Sequence, residues 1–312
     1  MELNKVNTPH YRDYGTWIRQ QFPFRVQKIS VDAGFSCPNR DGRISTGGCI
    51  YCDNRTFNPS YCQRHQSITA QLEAGKQFFA RKYPDMKYLA YFQAFTNTYA
   101  PLRQLQALYQ EALSVPDIVG IVIGTRPDCV SDELLDYLSE LSHKTFVLVE
   151  YGIESANDAT LLRINRGHTF AQAQDAVCRT HQRGLLTGAH IIFGLPGEDE
   201  AEILRQAPIL SALPLDILKI HQMQVIKGTP LAELYAQQQL HVFSIDEYIR
   251  LLANYIQYLR KDLVLERFVS QSPKELLIAP SWGLKNYEFT NLFVNYLRTN
   301  QIFQGSRYLK SE

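Results

Sequence analysis

The sequence predicts an α/β fold, a partial (β/α)6 TIM-like barrel with a C-terminal α+β extension. Three observations predict it. Six apolar runs of strand length alternate with amphipathic helical patterns between residues 25 and 243. Five of the runs end in polar or glycine-rich punctuation, as strand ends gathered on one rim would. Past residue 243 the rhythm breaks. Six units are too few to close an eight-fold barrel, so an open parallel sheet with helices outside is expected. Residues 1–24 are read as a lead-in, 25–243 as the core and 244–312 as an extension packed on it.

In order, a helix is expected over 14–21 and a first strand over 25–31, followed directly by a cysteine-rich loop. Residues 67–82 have helical spacing, with Leu72, Phe78 and Phe79 on the apolar side. Further strands are expected over 87–95, 117–123, 145–153, 186–195 and 215–225. Between and after them lie helical patterns over 101–113, 131–141, 157–162 with 171–183, 199–210 and 231–239. Pro101 suits a first helical turn and Ser131 an N-cap. The five strand ends read Thr96-Asn97-Thr98, Gly124-Thr125-Arg126, Gly152-Ile153-Glu154-Ser155, Gly194-Leu195-Pro196-Gly197 and Lys227-Gly228-Thr229. The extension opens with one amphipathic helix over 244–261, where Ser244 and Glu247 have capping-box spacing. Short strands over 263–269 and 276–279 and a helix over 287–299 complete it.

With 45% hydrophobic and 20% charged residues, the composition is ordinary for a globular protein. Lys and Arg total 32 against 31 Asp and Glu, so no global field recruits nucleic acid. A local basic rim remains open, since Arg40, Arg43, Arg55 and Arg64 surround the cysteine loop. Residues 1–14 lack an apolar core and no run of 18 apolar residues exists. Neither a signal peptide nor a membrane span is therefore expected. The six cysteines do not form a disulfide framework, and their clustering reads as metal ligation in a reducing cytoplasm.

Three cysteines, Cys37, Cys49 and Cys52, share one glycine-rich loop with the spacing C-x11-C-x2-C. Three thiolates without a fourth suit an iron–sulfur cluster that keeps one iron open. A rival set is Cys49, Cys52, Cys62 and His65, four ligands with acceptable zinc spacing. That set would make the chain a non-enzymatic zinc-binding or RNA-binding module. Spacing alone leaves both readings open. Lys219 and His221 alternate on one face of the sixth strand, facing either the barrel interior or the helices.

Further stretches accompany the loop in order. They are Tyr91-Phe92-Gln93-Ala94-Phe95-Thr96-Asn97-Thr98-Tyr99-Ala100-Pro101, Gly124-Thr125-Arg126-Pro127-Asp128, Glu150-Tyr151-Gly152-Ile153-Glu154-Ser155, Arg166-Gly167-His168 and Ile192-Phe193-Gly194-Leu195-Pro196-Gly197-Glu198. Together they resemble the radical S-adenosylmethionine (SAM) superfamily, within it the Elongator catalytic-subunit-like branch, and most closely the YhcC/YtqA group. The resemblance runs from about Arg25 to the end of the chain. It implies the half-barrel of that superfamily and an enzyme with two cofactors, a [4Fe-4S] cluster and SAM. Cys37, Cys49 and Cys52 would ligate three irons, and the fourth would chelate the amino and carboxylate groups of SAM. One-electron reduction would cleave SAM to methionine and a 5′-deoxyadenosyl radical.

By the same resemblance, Tyr51 would lie against the adenine and Glu154 would hold the ribose hydroxyls. Gln93, Thr96 and Asn97 fall where the methionine amino group is held, although the usual Gly-Gly-Glu is absent there. Arg166 would pair with the SAM carboxylate. Gly194, with Gly197, would let the backbone approach the adenine. His168 is read as a helix cap or an exposed residue. A one-electron reductant such as flavodoxin or ferredoxin is the implied partner, with tRNA as a second. The implied reaction is a side-chain change at the 5-position of a modified wobble uridine. A full Elongator-type acetyl transfer is not expected, because no acetyltransferase domain fits in residues 244–312.

Overall fold

The computed structural model describes residues 9–56, 58–80 and 85–309. The parts of the expected elements at 1–8, 81–82 and 310–312 lie outside the described residues. Helix α1 (Tyr14–Gln21) is capped by Asp13, whose side chain accepts from the Thr16 amide. Strand β1 (Val26–Val31) follows, then α2 (Ile68–Ala80), β2 (Lys87–Phe92), α3 (Leu102–Ser114), β3 (Ile118–Thr125) and α4 (Asp132–Ser142). Next come β4 (Phe146–Glu154), α5 (Asp158–Arg163), α6 (Phe170–Gln182), β5 (Leu186–Phe193), α7 (Glu200–Ser211) and β6 (Ile217–Gln222). The chain closes with β7 (Val225–Ile226), α8 (Pro230–Ala236), α9 (Ile245–Ile256), β8 (Val264–Arg267), β9 (Leu277–Ala279) and α10 (Asn286–Thr299).

Strands β1 to β6 pair in chain order, all parallel, with a helix in each crossover. The extension adds a seventh strand. β8 pairs in parallel with β6, Ile217 facing Val264, and covers an edge that would otherwise stay open. Several expected elements are shorter than their apolar patterns, two of them by five residues or more. The run 215–225 breaks after Gln222, because Gln222 and Gln224 both donate to the Ser270 carbonyl and turn the chain. β7 beyond the break pairs with β9 in a separate antiparallel sheet. Helix α9 stops at Ile256, where the amides of Gly305 and Arg307 take the carbonyls of Ile256 and Gln257.

The sheet curls strongly. Lys28 on one edge strand lies 2.8 Å from Glu266 on the other, yet β1 and β8 are not paired, so the barrel stays open. Alternation splits each strand between two environments. On the outer face, Phe92, Ile123, Val149 and Leu218 pack under the helices against Tyr109, Leu135, Val177 and Tyr255. On the inner face the side chains form three layers. At the N-terminal ends of the strands, Trp17 and Ile18 of α1 plug the opening against Leu89, Val122, Leu148, Ile217 and Val264. Each aliphatic side chain buried there contributes about 2 kcal/mol.

Above the plug sits an ionic layer. Glu150, only 1% exposed, lies 2.9 Å from Lys28, 2.6 Å from Lys219 and 3.2 Å from His190. Glu266 joins both lysines, at 2.8 and 3.3 Å. Lys219 therefore faces the barrel interior, as does His221. Burial alone would raise the Glu150 carboxyl, but Lys219 and Lys28 outweigh it and hold the group well below the usual carboxylate range. Above this layer, at the C-terminal strand ends, a cavity opens.

Candidate metal centre

The cysteine loop leaves β1 and folds over that cavity. A turn begins at Cys37, whose carbonyl accepts from the amides of Arg40 and Asp41 at 2.7 and 3.1 Å. A second turn brings the Cys52 amide to the Cys49 carbonyl at 3.0 Å, so both thiols of the C-x2-C pair leave one bend. Gly48 has φ +83°, and a Cβ there would meet the Arg40 guanidinium at 2.8 Å, so only glycine fits. The segment after α5 pins the loop. Ile50 donates to the Ile164 carbonyl, and the Asn165 side chain to the Gly48 carbonyl.

Donors surround the sulfurs. Cys49 receives the Asn39 amide at 3.7 Å and Arg166 Nη1 at 3.6 Å, and Cys52 receives the Asn54 amide at 3.8 Å. Such contacts lower the charge that a thiolate cluster leaves on its sulfurs. Burial pushes the Cys52 thiol up to about 11, with Arg40 opposing the rise.

Arg166 itself is tightly held. Its Nη2 donates to the Gly152 carbonyl at 2.6 Å and lies 3.4 Å from Glu154, while its Nε donates to His168 Nε2 at 2.9 Å. His168 is buried and its Nδ1 faces the Thr169 carbonyl, so the ring is a neutral acceptor. Burial and the Arg166 charge push it down to about 3. It is neither exposed nor a cap: Thr169 caps α6. Gly152 leaves space for this pair, since a Cβ there would lie 2.5 Å from Glu154 and 2.6 Å from Arg166. Glu154 and Phe95 both take left-handed backbone, with φ 69° and 62°, and both line the cavity. Backbone strain in non-glycine residues concentrates at functional sites.

Eight of the residues expected at the site share this one cavity: Cys37, Cys49, Cys52, Tyr51, Gln93, Thr96, Glu154 and Arg166. Asn97 lies behind its wall. The Asn97 side-chain amide donates to the carbonyls of Phe92 and Gly124, tying the ends of β2 and β3 together. Gly194 is placed elsewhere, in a surface cleft with Phe243, whose ring a Cβ would meet at 2.9 Å. Its φ of +87° serves a turn after β5. The motif residues Ser155 and Glu198 lock β4 to β5 by a direct hydrogen bond.

The zinc set is not assembled. Cys62 is buried apart from the loop thiols and aims its Sγ at the Gln71 Oε1, 3.3 Å away, while His65 is exposed. Among the described residues, no three His, Cys, Asp or Glu side chains gather tightly enough for a single metal ion. The lining residues that sequence reasoning missed as site residues include four with charged or titratable side chains, Arg126, Glu150, His190 and Arg267. Glu150 and His190 were within reach, because period-two alternation puts Glu150 on the same side as Glu154, and His190 with Ile192.

The residues fit a multi-iron cluster with an organic ligand beside it. Three thiols border one cavity, each able to take a different iron. The buried Thr96 Oγ1, which lines the cavity, has no hydrogen-bond partner among the described residues. That leaves one polar atom free for a ligand on the wall facing the loop.

Comparison with known proteins agrees. A family model described as the Radical SAM superfamily matches residues 40–205, and one described as the Radical_SAM C-terminal domain matches 215–299. The chain is 34% identical to uncharacterized protein YtqA of Bacillus subtilis, over 97% of this chain and 94% of that protein. It is 37% identical to protein YhcC of Escherichia coli K12, over 86% of each. A tRNA uridine(34) acetyltransferase of Methanocaldococcus infernus is 23% identical over 57% of this chain, which spans only 33% of that protein. Among solved structures, archaeal Elp3 of M. infernus superposes with a TM-score of 0.65 at 17% identity, over 89% of this chain and 64% of that one. That likeness supports the half-barrel fold. By its family matches and by relatives aligned along nearly its whole length, the chain belongs to the YhcC/YtqA group of the radical SAM superfamily, a superfamily that uses a [4Fe-4S] cluster and SAM.

Proposed function

We propose that Cys37, Cys49 and Cys52 hold the cluster, that SAM binds in the same cavity, and that the enzyme acts on a modified wobble uridine of tRNA. The observation that carries this reading is the sharing of one cavity by the three loop thiols and the polar ends of β2 and β4. When bound, the cluster and SAM supply one-electron chemistry that ends in hydrogen abstraction by a 5′-deoxyadenosyl radical.

The chain's own residues then bind and orient. Arg166 Nη1, beside the Cys49 sulfur, offers a cation to the SAM carboxylate. The Glu154 carboxylate keeps acceptor capacity for the ribose hydroxyls. Thr96 Oγ1 and the Gln93 side chain, whose Oε1 accepts from Ser30 Oγ at 3.1 Å, border the methionine end. Burial holds the Tyr51 phenol neutral, as suits a ring stacked on adenine.

The tRNA reading is supported by the relative named for uridine 34 and by the exposed Arg43, Arg55 and Arg64 beside the loop. A flavodoxin- or ferredoxin-type protein of the reducing cytoplasm would deliver the electron. The test compares modified nucleosides of tRNA from a deletion strain and its parent. Loss of one wobble uridine nucleoside, with accumulation of its precursor, is expected. An unchanged profile contradicts the tRNA assignment.

A further inference from the structure

The cavity wall also holds a cation without an ion-pair partner among the described residues. Arg267 ends β8, the strand contributed by the extension, and lines the cavity. Its Nε is buried without a hydrogen-bond partner, and no ion pair to its guanidinium exists among the described residues.

The other cations on the wall are all engaged. Arg126 is bidentate to Asp128 at 2.9 Å, and Arg166 holds the Gly152 carbonyl beside Glu154. Arg40 donates to the Cys52 carbonyl at 2.7 Å. The carboxylates of the wall face other cations. Glu150 serves Lys28, Lys219 and His190, and Glu154 faces Arg166. The nearest acid in sequence, Glu266, turns away to the two lysines. His221, on the neighbouring strand and the same cavity wall, adds no competing positive charge. Burial and Arg267 push it down to about 3.

Arg267 is half-buried, and its Nε is shielded from water with no acceptor, an arrangement that an oxyanion in the cavity would complete. Its planar fork suits an oxyanion, which it grips with two parallel hydrogen bonds.

We propose that Arg267 is a substrate-anchoring residue, which binds an oxyanion of the substrate, a carboxylate or a phosphate, at the end of β8 in this cavity. The inference rests on the reading of this cavity as the active site and not on the substrate being tRNA. It gives the C-terminal extension a direct part in the site: β8 completes the sheet and carries the anchor.

The test is made on cluster-loaded protein under anaerobic conditions, with acetate and inorganic phosphate as probes against sodium chloride at equal ionic strength. The wild-type melting temperature is expected to rise with at least one probe, by mass action on the folded state. Acetate alone acting points to a carboxylate, phosphate alone to a phosphoryl group. Arg267→Met is expected to lose the response and to melt no lower than wild type without a probe, because it breaks no ion pair among the described residues. Arg267→Lys is expected to keep part of the response. A wild-type protein indifferent to both anions, or an Arg267→Met protein that responds like wild type, overturns the proposal. So does a loss of SAM binding in Arg267→Met, which would assign the guanidinium to the SAM carboxylate. Should Arg267→Met not fold, Arg267→Gln is read in the same way. The nucleoside comparison fails or succeeds independently of these melts.

Discussion

At the scale of single residues, the proposed ligands are Cys37, Cys49 and Cys52, and Cys62 is the excluded alternative. Cys37→Ala should abolish the cluster: anaerobically prepared protein should lose its brown colour and nearly all of the roughly four irons per chain. Cys62→Ala should keep both, because that thiol meets Gln71 rather than the loop. Iron analysis beside the visible spectrum decides between them, and the reverse pattern would sink the three-cysteine assignment. The sharing of one cavity by the three loop thiols was legible because cysteine spacing is written directly in the sequence. Gly194 shows the limit of such reading. A glycine that makes a turn and one that admits a ligand look alike in sequence, and here the turn after β5 and the Phe243 ring account for it. Asn97 likewise is a polar residue of the right type, but it lies behind the wall and its amide nitrogen is spent on two carbonyls. Arg267 had no signal, since it stands in a four-residue strand beyond the repeating rhythm.

At the scale of elements, caps were the best-marked features. Ser131 and Ser244 cap α4 and α9, and Ser244 with Glu247 closes a capping box. Ser244→Ala should lower stability by about 1 kcal/mol. Urea unfolding should show a lower midpoint with the same slope. A changed slope would mean that the substitution alters more than the cap. Lengths were less legible than existence. The apolar pattern of α9 runs past Ile256, but a distant segment, Gly305 to Arg307, ends the helix by taking its carbonyls. The sixth strand is cut by the contacts of Gln222 and Gln224 with Ser270, again a tertiary event. β8 was expected as a strand, but its place beside β6 depends on which edge lies free, and local pattern does not encode that.

At the scale of the whole molecule, three inner layers turn a curled sheet into a one-ended vessel. The plug is tested by Trp17→Ala, which should cost about 3–5 kcal/mol as a large-to-small change in a packed core. An effect within the error of denaturant unfolding would mean that α1 does not close the barrel. The ionic layer predicts a pH dependence. Glu150 is held well below its ordinary range, so its stabilisation is present above the ordinary carboxylate range. It is lost as pH falls through the lower folded value. Glu150→Gln should cost about 3–5 kcal/mol near neutrality, because Lys28 and Lys219 lose their shared counter-charge. It should also flatten the acid limb of the stability profile. A parallel acid limb in the variant would assign that limb to other carboxyls. This layer was half legible: alternation put Lys219 and His221 on one face, but only the curl of the sheet shows that face to be the interior.

The most direct measurement of the central claim is made on the anaerobically reconstituted protein, reduced in the presence of SAM and analysed for products. Formation of 5′-deoxyadenosine and methionine in equal amounts, abolished in Cys37→Ala and retained in Cys62→Ala, is the expected result. A colourless protein with one zinc per chain, or an iron-loaded one that leaves SAM intact, would contradict it.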